Sequence, residues 1–392
     1  MKQPIEKIIL TNEERRYFGL NPIESTWDRV EIKESFAVYF DGDMIRKTIS
    51  CQTRSDAGYE NYLQYTETDN QVQTRGRNIV LPRTDRGKEK KLNYTSIDSM
   101  NPTGCVFYVV FGFPKATARL YVGNSRNSIT LPIIFPNNIS TFAAFRKWLP
   151  GYISTCPTDY FDKVERMRNS PHRTVKYYNG DIFRFEIDLE HYGFGLIIGQ
   201  IRKMQKDALL SKEHIFNDTM CVPLLVRLYL LKTTDKNMSA EQIAAHPLGK
   251  TFMMTDDLVI WGAYDIVGSK TLTETDIDFP IQVGRSISAI DFDHVRICWG
   301  PGIIVRRNAE DFPKLPFKLM RHGVSQMIHW FEMERAMGNA QAKTGLDESE
   351  QIAFRYFDLP LDMTFDVFNR QYGGMTREEY AVYANKAGRG KS

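Results

Sequence analysis

The chain has few cysteines, and none of them lie close together. Its 392 residues include five cysteines, and neighbouring ones are more than 50 positions apart. Metal knuckles use closely spaced cysteine pairs, and small disulfide frameworks use an even number of cysteines. The sequence therefore predicts neither kind of site. We interpret the cysteines as reduced side chains in the core of a cytoplasmic protein.

Long apolar runs are missing as well. The longest, residues 105–113, covers nine positions, whereas a membrane-spanning helix needs about 20 apolar residues. The first residues of the chain also lack the apolar segment of a secretory signal. We therefore expect a cytoplasmic protein that does not insert into a membrane.

The sequence lacks the signatures of common catalytic sites. It contains neither the HExxH motif of zinc proteases nor the GxSxG turn of serine hydrolases. The nearest approach to a metal site is His322 and His329, with Glu332 further along the same predicted helix. Positions seven apart on a helix are separated by about 10 Å, which is too far to share one ion. These absences predict a protein that is not an enzyme and that has no catalytic residue, metal site or cofactor.

The net charge is small, but it is unevenly distributed. The formal charge of +3 does not by itself predict a nucleic-acid partner. Segment 71–92, however, has seven basic residues and only two acidic ones. Its candidate binding residues are Arg75, Arg77, Arg83, Arg86 and Lys88. Two interpretations are open, a mobile loop that contacts a polyanion or an acidic protein, and a solvated hairpin tip.

Segment 251–280 has the opposite charge. It contains six acidic residues, with Lys270 as its single basic residue. Its candidate binding residues are Asp256, Asp257, Asp276 and Asp278. One interpretation is an acidic surface for a basic protein, and the other is turn chemistry, because aspartate and threonine are favoured where strands reverse direction.

Hydrophobic periodicity predicts an α+β fold with three domains. Residues 1–170 form an N-terminal domain of mixed strands and helices. Residues 171–310 are β-rich and predict a curled antiparallel sheet or a partial barrel. Residues 311–392 predict a helical extension, whose last helix begins with a capping box of Thr376 and Glu379.

The stretch 178–199 is the centre of the predicted β-rich domain. Alternating apolar residues at 182–187, a polar turn at 188–191 and an apolar run at 192–199 predict a hairpin. Gly193 and Gly195 alternate with aromatic residues. This pattern predicts a strand that bends or that another backbone approaches closely. Residues 222–232 are apolar on both faces and predict a central strand.

Several short motifs of this domain resemble one known family. The motifs are Gly180-Asp181-Ile182-Phe183, Tyr192-Gly193-Phe194-Gly195 with Gly199-Gln200, Trp261-Gly262, Gly284-Arg285-Ser286 and Trp299-Gly300. Their order and spacing over residues 175–305 resemble the immunity protein 26 family of bacterial polymorphic-toxin systems. Within them Arg285 is a candidate binding residue, because a guanidinium at a strand end can bind a carboxylate or a phosphate.

The resemblance implies a cytoplasmic immunity protein that binds a cognate toxin encoded nearby and neutralises it. Family members are also described as related to an organophosphate hydrolase, so a metal-dependent phosphoester hydrolase is the alternative. A nucleic-acid-binding module that uses the basic segment is a second alternative. The glycines and tryptophans of the motifs have a structural interpretation too, as backbone devices and core residues of a curled sheet.

Overall fold

The structure is a computed structural model that describes residues 10–54, 62–82, 86–113, 117–219, 221, 223–285, 293–307, 328 and 346–386. The chain divides into two compact units, Met1–Arg173 and Thr174–Ser392. Each unit combines helices with antiparallel sheet. The α+β fold predicted from the sequence is therefore confirmed.

The first unit contains one eight-stranded sheet. Its strands are β1 (Asp28–Lys33), β2 (Phe36–Asp41), β3 (Met44–Arg54), β4 (Tyr62–Arg75), β5 (Ile79–Val80), β6 (Lys90–Lys91), β7 (Cys105–Phe113) and β8 (Thr117–Asn124). The order is β1-β2-β3-β4-β5-β6, and β7 pairs with β4 and β8. Strand β4 forks the sheet, because residues 63–68 pair with β7 whereas residues 74–75 pair with β5.

The helices of the first unit are α1 (Asn12–Tyr17), α2 (Tyr94–Asp98), α3 (Phe142–Ser154) and α4 (Tyr160–Asn169). Helix α1 begins with a capping box of Thr11 and Glu14. Pro150 lies within helix α3, although proline usually ends or kinks a helix. The helix continues to Ser154, because buried Leu149 and Tyr152 hold both sides of the proline against the core.

A buried network of four charged side chains joins helix α1 to the sheet. The Arg15 guanidinium lies 2.6 Å from Glu67, and the Lys47 ammonium lies 2.8 Å from Glu67 and 2.5 Å from Asp69. The Tyr65 hydroxyl donates a further hydrogen bond to Glu67 at 2.8 Å. Burial raises the pKa of Glu67, but the neighbouring Lys47 and Arg15 outweigh that effect and hold it below its usual value.

We expect Glu67→Gln to reduce the free energy of unfolding by about 3–5 kcal/mol, because the substitution leaves Arg15 and Lys47 buried with one carboxylate between them. Urea denaturation followed by circular dichroism measures the change. Glu13→Gln is the matched control, since Glu13 forms an exposed ion pair with Arg16. Equal effects of the two substitutions would contradict a stabilising role for the buried network.

The second unit contains two open antiparallel sheets. Its strands are β9 (Asp181–Glu186), β10 (Tyr192–Gln200), β11 (Pro223–Leu228), β12 (Phe252–Thr255), β13 (Asp265–Ser269), β14 (Ile281–Arg285), β15 (Val295–Trp299) and β16 (Gly302–Arg306). Five strands form one sheet in the order β12-β11-β10-β9-β13, and three form another in the order β14-β15-β16. In the described part of the chain neither sheet closes into a barrel.

Six helices and two 3-10 turns accompany these sheets in the described residues. They are α5 (Ile201–Lys206), the turn Ile215–Asp218, α6 (Ala240–Ala244), α7 (Asp257–Ile260), the turn Glu274–Asp276, α8 (Glu348–Tyr356), α9 (Phe365–Gln371) and α10 (Arg377–Lys386). Helix α10 follows the capping interaction of Thr376 with Glu379 that the sequence predicts. The helical C-terminal region is confirmed.

The five-stranded sheet is buried on both faces. On one face Phe194, Leu196 and Ile198 pack in a core that includes Tyr380 of helix α10. On the other face Phe183, Ile197 and Val226 belong to a second core. Strand β11 lies between β10 and β12 with almost every residue buried, which confirms the central strand predicted from its apolar pattern.

Helices α8 and α9 complete the core of the three-stranded sheet. Phe354 and Phe368 pack there with Val283 and Ile297. The described part of the C-terminal segment thus shares its cores with the strands of the second unit. The division into domains 1–170, 171–310 and 311–392 stays a prediction.

Two phenylalanine rings cover the glycines of the central hairpin. Gly193 pairs with Phe185, and Gly195 pairs with Phe183, on neighbouring strands. A Cβ atom added at Gly195 would lie 2.3 Å from the Phe183 ring, and one at Gly193 would lie 2.5 Å from Phe185. The element that approaches these glycines is therefore an aromatic ring. This finding corrects the prediction that another backbone approaches closely, whereas the bend of the strand stays a prediction.

We expect Gly195→Ala to lower the free energy of unfolding by about 1–3 kcal/mol, because the methyl group displaces the Phe183 ring from a packed core. The cost should shrink in a Phe183→Leu background, and a double-mutant cycle of chemical denaturation measures this coupling. Gly151→Ala is the control, since its added Cβ meets nothing within 4 Å inside helix α3. An additive cycle would contradict the ring-over-glycine explanation.

Candidate functional site

The four candidate aspartates of the acidic segment lie at opposite ends of strand β12. Asp256 follows the last residue of β12 and accepts a hydrogen bond from the Tyr177 hydroxyl at 2.7 Å. Asp278 accepts one at 3.1 Å from the backbone N–H of Thr251, which precedes β12. The strand has four residues and is about 13 Å long. The structure therefore separates the aspartates into two pairs, Asp256 with Asp257 and Asp276 with Asp278.

Some carboxylates of the acidic segment accept hydrogen bonds from within the protein. Asp276 is only 3% exposed, and it accepts hydrogen bonds from Lys270 at 2.7 Å and from the backbone of Thr273 at 2.8 Å. Burial raises the pKa of Asp276, but the bonds from Lys270 and Thr273 outweigh it, so the pKa lies below its usual value. Asp257 is half-buried at the first position of helix α7.

Two arginines of the basic segment stabilise local structure. Arg75 forms an ion pair with Glu89. Arg77 lies 2.7 Å from Asp28, donates to the Gly42 carbonyl at 2.8 Å and packs over the Phe40 ring. Arg86 and Lys88 are exposed, whereas Arg83 lies outside the described residues. The described segment includes the hairpin of β5 and β6, with exposed lysines on β6.

Arg285 is the last residue of β14 and is half-buried. Its carbonyl accepts a hydrogen bond at 3.3 Å from the buried Arg296. Ser286, the next residue of the motif, lies outside the described residues, as do His322, His329 and Glu332. Among the residues that the structure does describe, no group of three histidine, cysteine, aspartate or glutamate side chains is placed to hold a metal ion.

The turn at Trp299-Gly300 is held by two buried polar side chains. Asn369 of helix α9 accepts a hydrogen bond from the N–H of Gly302 and donates one to the Trp299 carbonyl, each at 2.9 Å. His214 Nε2 lies 2.9 Å from the Gly300 carbonyl oxygen, and Nδ1 accepts from the N–H of Phe216 at 3.1 Å. Gly300 has a φ of 62°, which suits glycine. The motif thus serves the fold.

The geometry at His214 requires a neutral imidazole that donates from Nε2. Burial lowers the pKa of His214 to about 4, and the nearby positive charge of Arg296 contributes to the decrease. In the unfolded chain the group titrates near 6.5. The unfolded state therefore binds a proton first as the pH falls, so the stabilisation is complete above pH 6.5 and decreases towards pH 4.

We expect His214→Gln to remove part of the pH dependence of stability, because the glutamine amide can donate to Gly300 but does not titrate. Between pH 6.5 and 4 the wild-type protein should lose about 3 kcal/mol more unfolding free energy than the variant. Denaturation curves at several pH values measure the difference. Parallel pH profiles would contradict the assignment of a buried neutral histidine.

Two adjoining clefts of the second unit were not predicted from the sequence. The first is lined by Arg227, Glu274, Thr275, Ile277, Asp278, Asp366 and Arg377. The second is lined by Leu272, Thr273, Glu274, Glu378, Ala381, Val382 and Asn385. Each is open to solvent with a volume of about 400 Å³, and Glu274 belongs to both. Glu274 and Asp278 belong to the acidic segment that the sequence analysis describes. The lining residues from helices α9 and α10 have no distinguishing pattern in the sequence.

Both arginines of the first cleft already have partners. Arg227 donates to the carbonyls of Gly249 at 2.8 Å, Asp276 at 3.0 Å and Thr275 at 3.1 Å. Arg377 donates to Asp366 at 3.3 Å and to the Ile277 carbonyl at 3.2 Å. These arginines fix the walls of the cleft. With three carboxylates and two guanidinium groups among its lining residues, the first cleft has a formal charge of −1.

Comparison with known proteins identifies one family. Residues 178–290 match the family model of Immunity protein 26, which confirms the resemblance found in the sequence motifs. The match begins just before β9 and extends beyond β14, so it covers the five-stranded sheet and the turn Glu274–Asp276. Searches of curated proteins and of solved structures returned no match. None of the described helices has both the length and the apolar character needed to cross a membrane.

Proposed function

We propose that this protein is an immunity protein that neutralises a cognate bacterial toxin by binding to it, without chemistry of its own. The observation that carries this proposal is the match of residues 178–290 to Immunity protein 26. The matched segment includes every strand of the five-stranded sheet. The match therefore covers a complete sheet and is longer than a single local motif. A toxin of the same bacterium is the partner that such a protein requires.

Inhibition by binding requires a surface of adequate size and complementary charge. Stable protein complexes bury about 1,200–2,000 Å² in total, and complementary charge accelerates capture. The second unit presents exposed Glu274, Glu378 and Glu379. This charge favours a toxin with a basic surface, such as a nuclease. Within the described residues, no comparable observation favours the hydrolase alternative.

We expect the protein to protect cells from the toxin encoded beside its gene and to form a complex with that toxin. Growth of cells that express the toxin with and without this protein measures protection. Size-exclusion chromatography of the purified pair measures binding, and a catalytically inactive toxin serves as the non-toxic form for purification. Protection without any complex would exclude the binding mechanism, and absence of both protection and complex would exclude the immunity function.

A binding test at the acidic segment must separate surface residues from buried ones. Asp276 is buried and bound to Lys270, so its substitution should destabilise the fold. Asp256 and Asp257 are partly exposed and can be changed with less effect on the core. We expect Asp256→Asn with Asp257→Asn to leave thermal stability nearly unchanged. If the toxin binds at that end of β12, titration at two salt concentrations will show weaker binding and a reduced salt dependence.

A further inference from the structure

We propose that the toxin docks on the two clefts between the turn Glu274–Asp276 and helices α9 and α10, with basic side chains flanked by apolar ones. This inference rests on the proposed immunity function and assigns it a surface. The surface combines residues of the family-matched segment with residues of helices outside that segment. The C-terminal helices would then contribute to the choice of partner as well as to the core.

The charge of this surface favours a basic partner. Glu274 and Glu378 are exposed and line the second cleft, and neither side chain has an ion-pair partner among the described residues. The basic residues that line the clefts are Arg227, which donates to backbone carbonyls, and Arg377, which is paired with Asp366, while Lys270 beside the turn is paired with Asp276. A lysine or arginine of the partner could therefore form charge-assisted hydrogen bonds here without displacing an internal pair.

The lining of the second cleft also includes an exposed apolar side chain. Val382 of helix α10 is 51% exposed, and Leu272 and Ala381 line the cleft beside it with exposures of 2% and 5%. An exposed apolar side chain surrounded by charged residues is the usual arrangement of a protein interface, with an apolar centre and a polar rim. The partner surface should present a complementary apolar side chain next to its cation.

The walls of the clefts are held in place before any partner binds. The Asn385 side chain accepts from the Leu272 N–H at 2.9 Å and donates to the Leu272 carbonyl at 2.8 Å. The Tyr380 ring is fully buried, and its hydroxyl donates to the Ile198 carbonyl of β10 at 3.3 Å. Helix α10 and the turn are therefore tied to the same sheet. A preorganised surface reduces the entropy lost on binding.

The open shape of the clefts favours a protein over a small molecule. Enclosed pockets cover most of the surface of a small ligand, whereas these clefts are open and share only the Glu274 ridge. A protein surface covers both clefts at once. Such a contact includes Asp366 and Arg377, which line the first cleft.

The test compares binding of the toxin to four forms of the full-length protein. The forms are the wild type, the double variant Glu274→Lys with Glu378→Lys, the single variant Val382→Asp, and the control Glu190→Lys. Glu190 is an exposed acid in the turn between β9 and β10, within the matched segment but outside both clefts. Surface plasmon resonance at two salt concentrations gives rates and affinities, and circular dichroism verifies folding.

We expect the double charge reversal to weaken binding at least about 100-fold, mainly through slower association, because it places like charges against a basic partner. Val382→Asp should weaken binding about tenfold or more through faster dissociation. The control should bind within about twofold of the wild type, since a distant surface charge contributes little. If the double variant does not fold, Glu274→Gln with Glu378→Gln replaces it, and its expected signature is a smaller salt dependence of association.

Failure of this inference is distinguishable from failure of the proposed function. Wild-type protein that does not bind the toxin overturns the binding mechanism of the proposed function, and the protection assay then decides whether the immunity function stands. Wild-type protein that binds, together with cleft variants that bind equally well, overturns the docking surface and leaves the immunity function standing. Weakened binding of the cleft variants together with normal binding of the Glu190→Lys control supports both.

Discussion

The packing of two phenylalanine rings over two glycines in the hairpin of β9 and β10 is the constraint on which the second unit depends. Phe183 and Phe185 occupy the space in which side chains at Gly195 and Gly193 would stand. With the rings in that position, the opposite side of β10 presents Phe194, Leu196 and Ile198 to a second core. One strand thus contributes to two cores.

The same strand positions the C-terminal helices. A Cβ atom at Gly199 would lie 2.6 Å from the Tyr380 hydroxyl, so glycine at the end of β10 permits helix α10 to approach. Tyr380 in turn packs edge to face on Phe279, which follows the turn that lines both clefts. The candidate docking surface is therefore continuous with the core of the matched segment. Substitutions in the hairpin should therefore shift the residues that line the clefts, because these contacts are closely packed.

Local charge is an incomplete guide to the residues that are available to a partner. In the acidic segment Asp276 and Asp278 accept internal hydrogen bonds, whereas Glu274, which lines both clefts, is exposed. In the basic segment Arg77 is paired with Asp28, which is 49 positions away in the chain. A charged side chain that already has an internal partner contributes little to the binding of another protein. The charges that remain are visible only when their neighbours are known.

The sequence by itself determined the α+β class, the capping boxes at Thr11 and Thr376, the central strand β11 and the family motifs, because each depends on residues close together in the chain or on a local periodicity. Only the tertiary structure decided why Gly193 and Gly195 are glycines, since the rings that exclude a side chain belong to the paired strand. It alone joined Glu274 to Glu378 and Val382 in one cleft. About a hundred positions separate those residues in the chain, and local pattern carries no information about contacts at that distance.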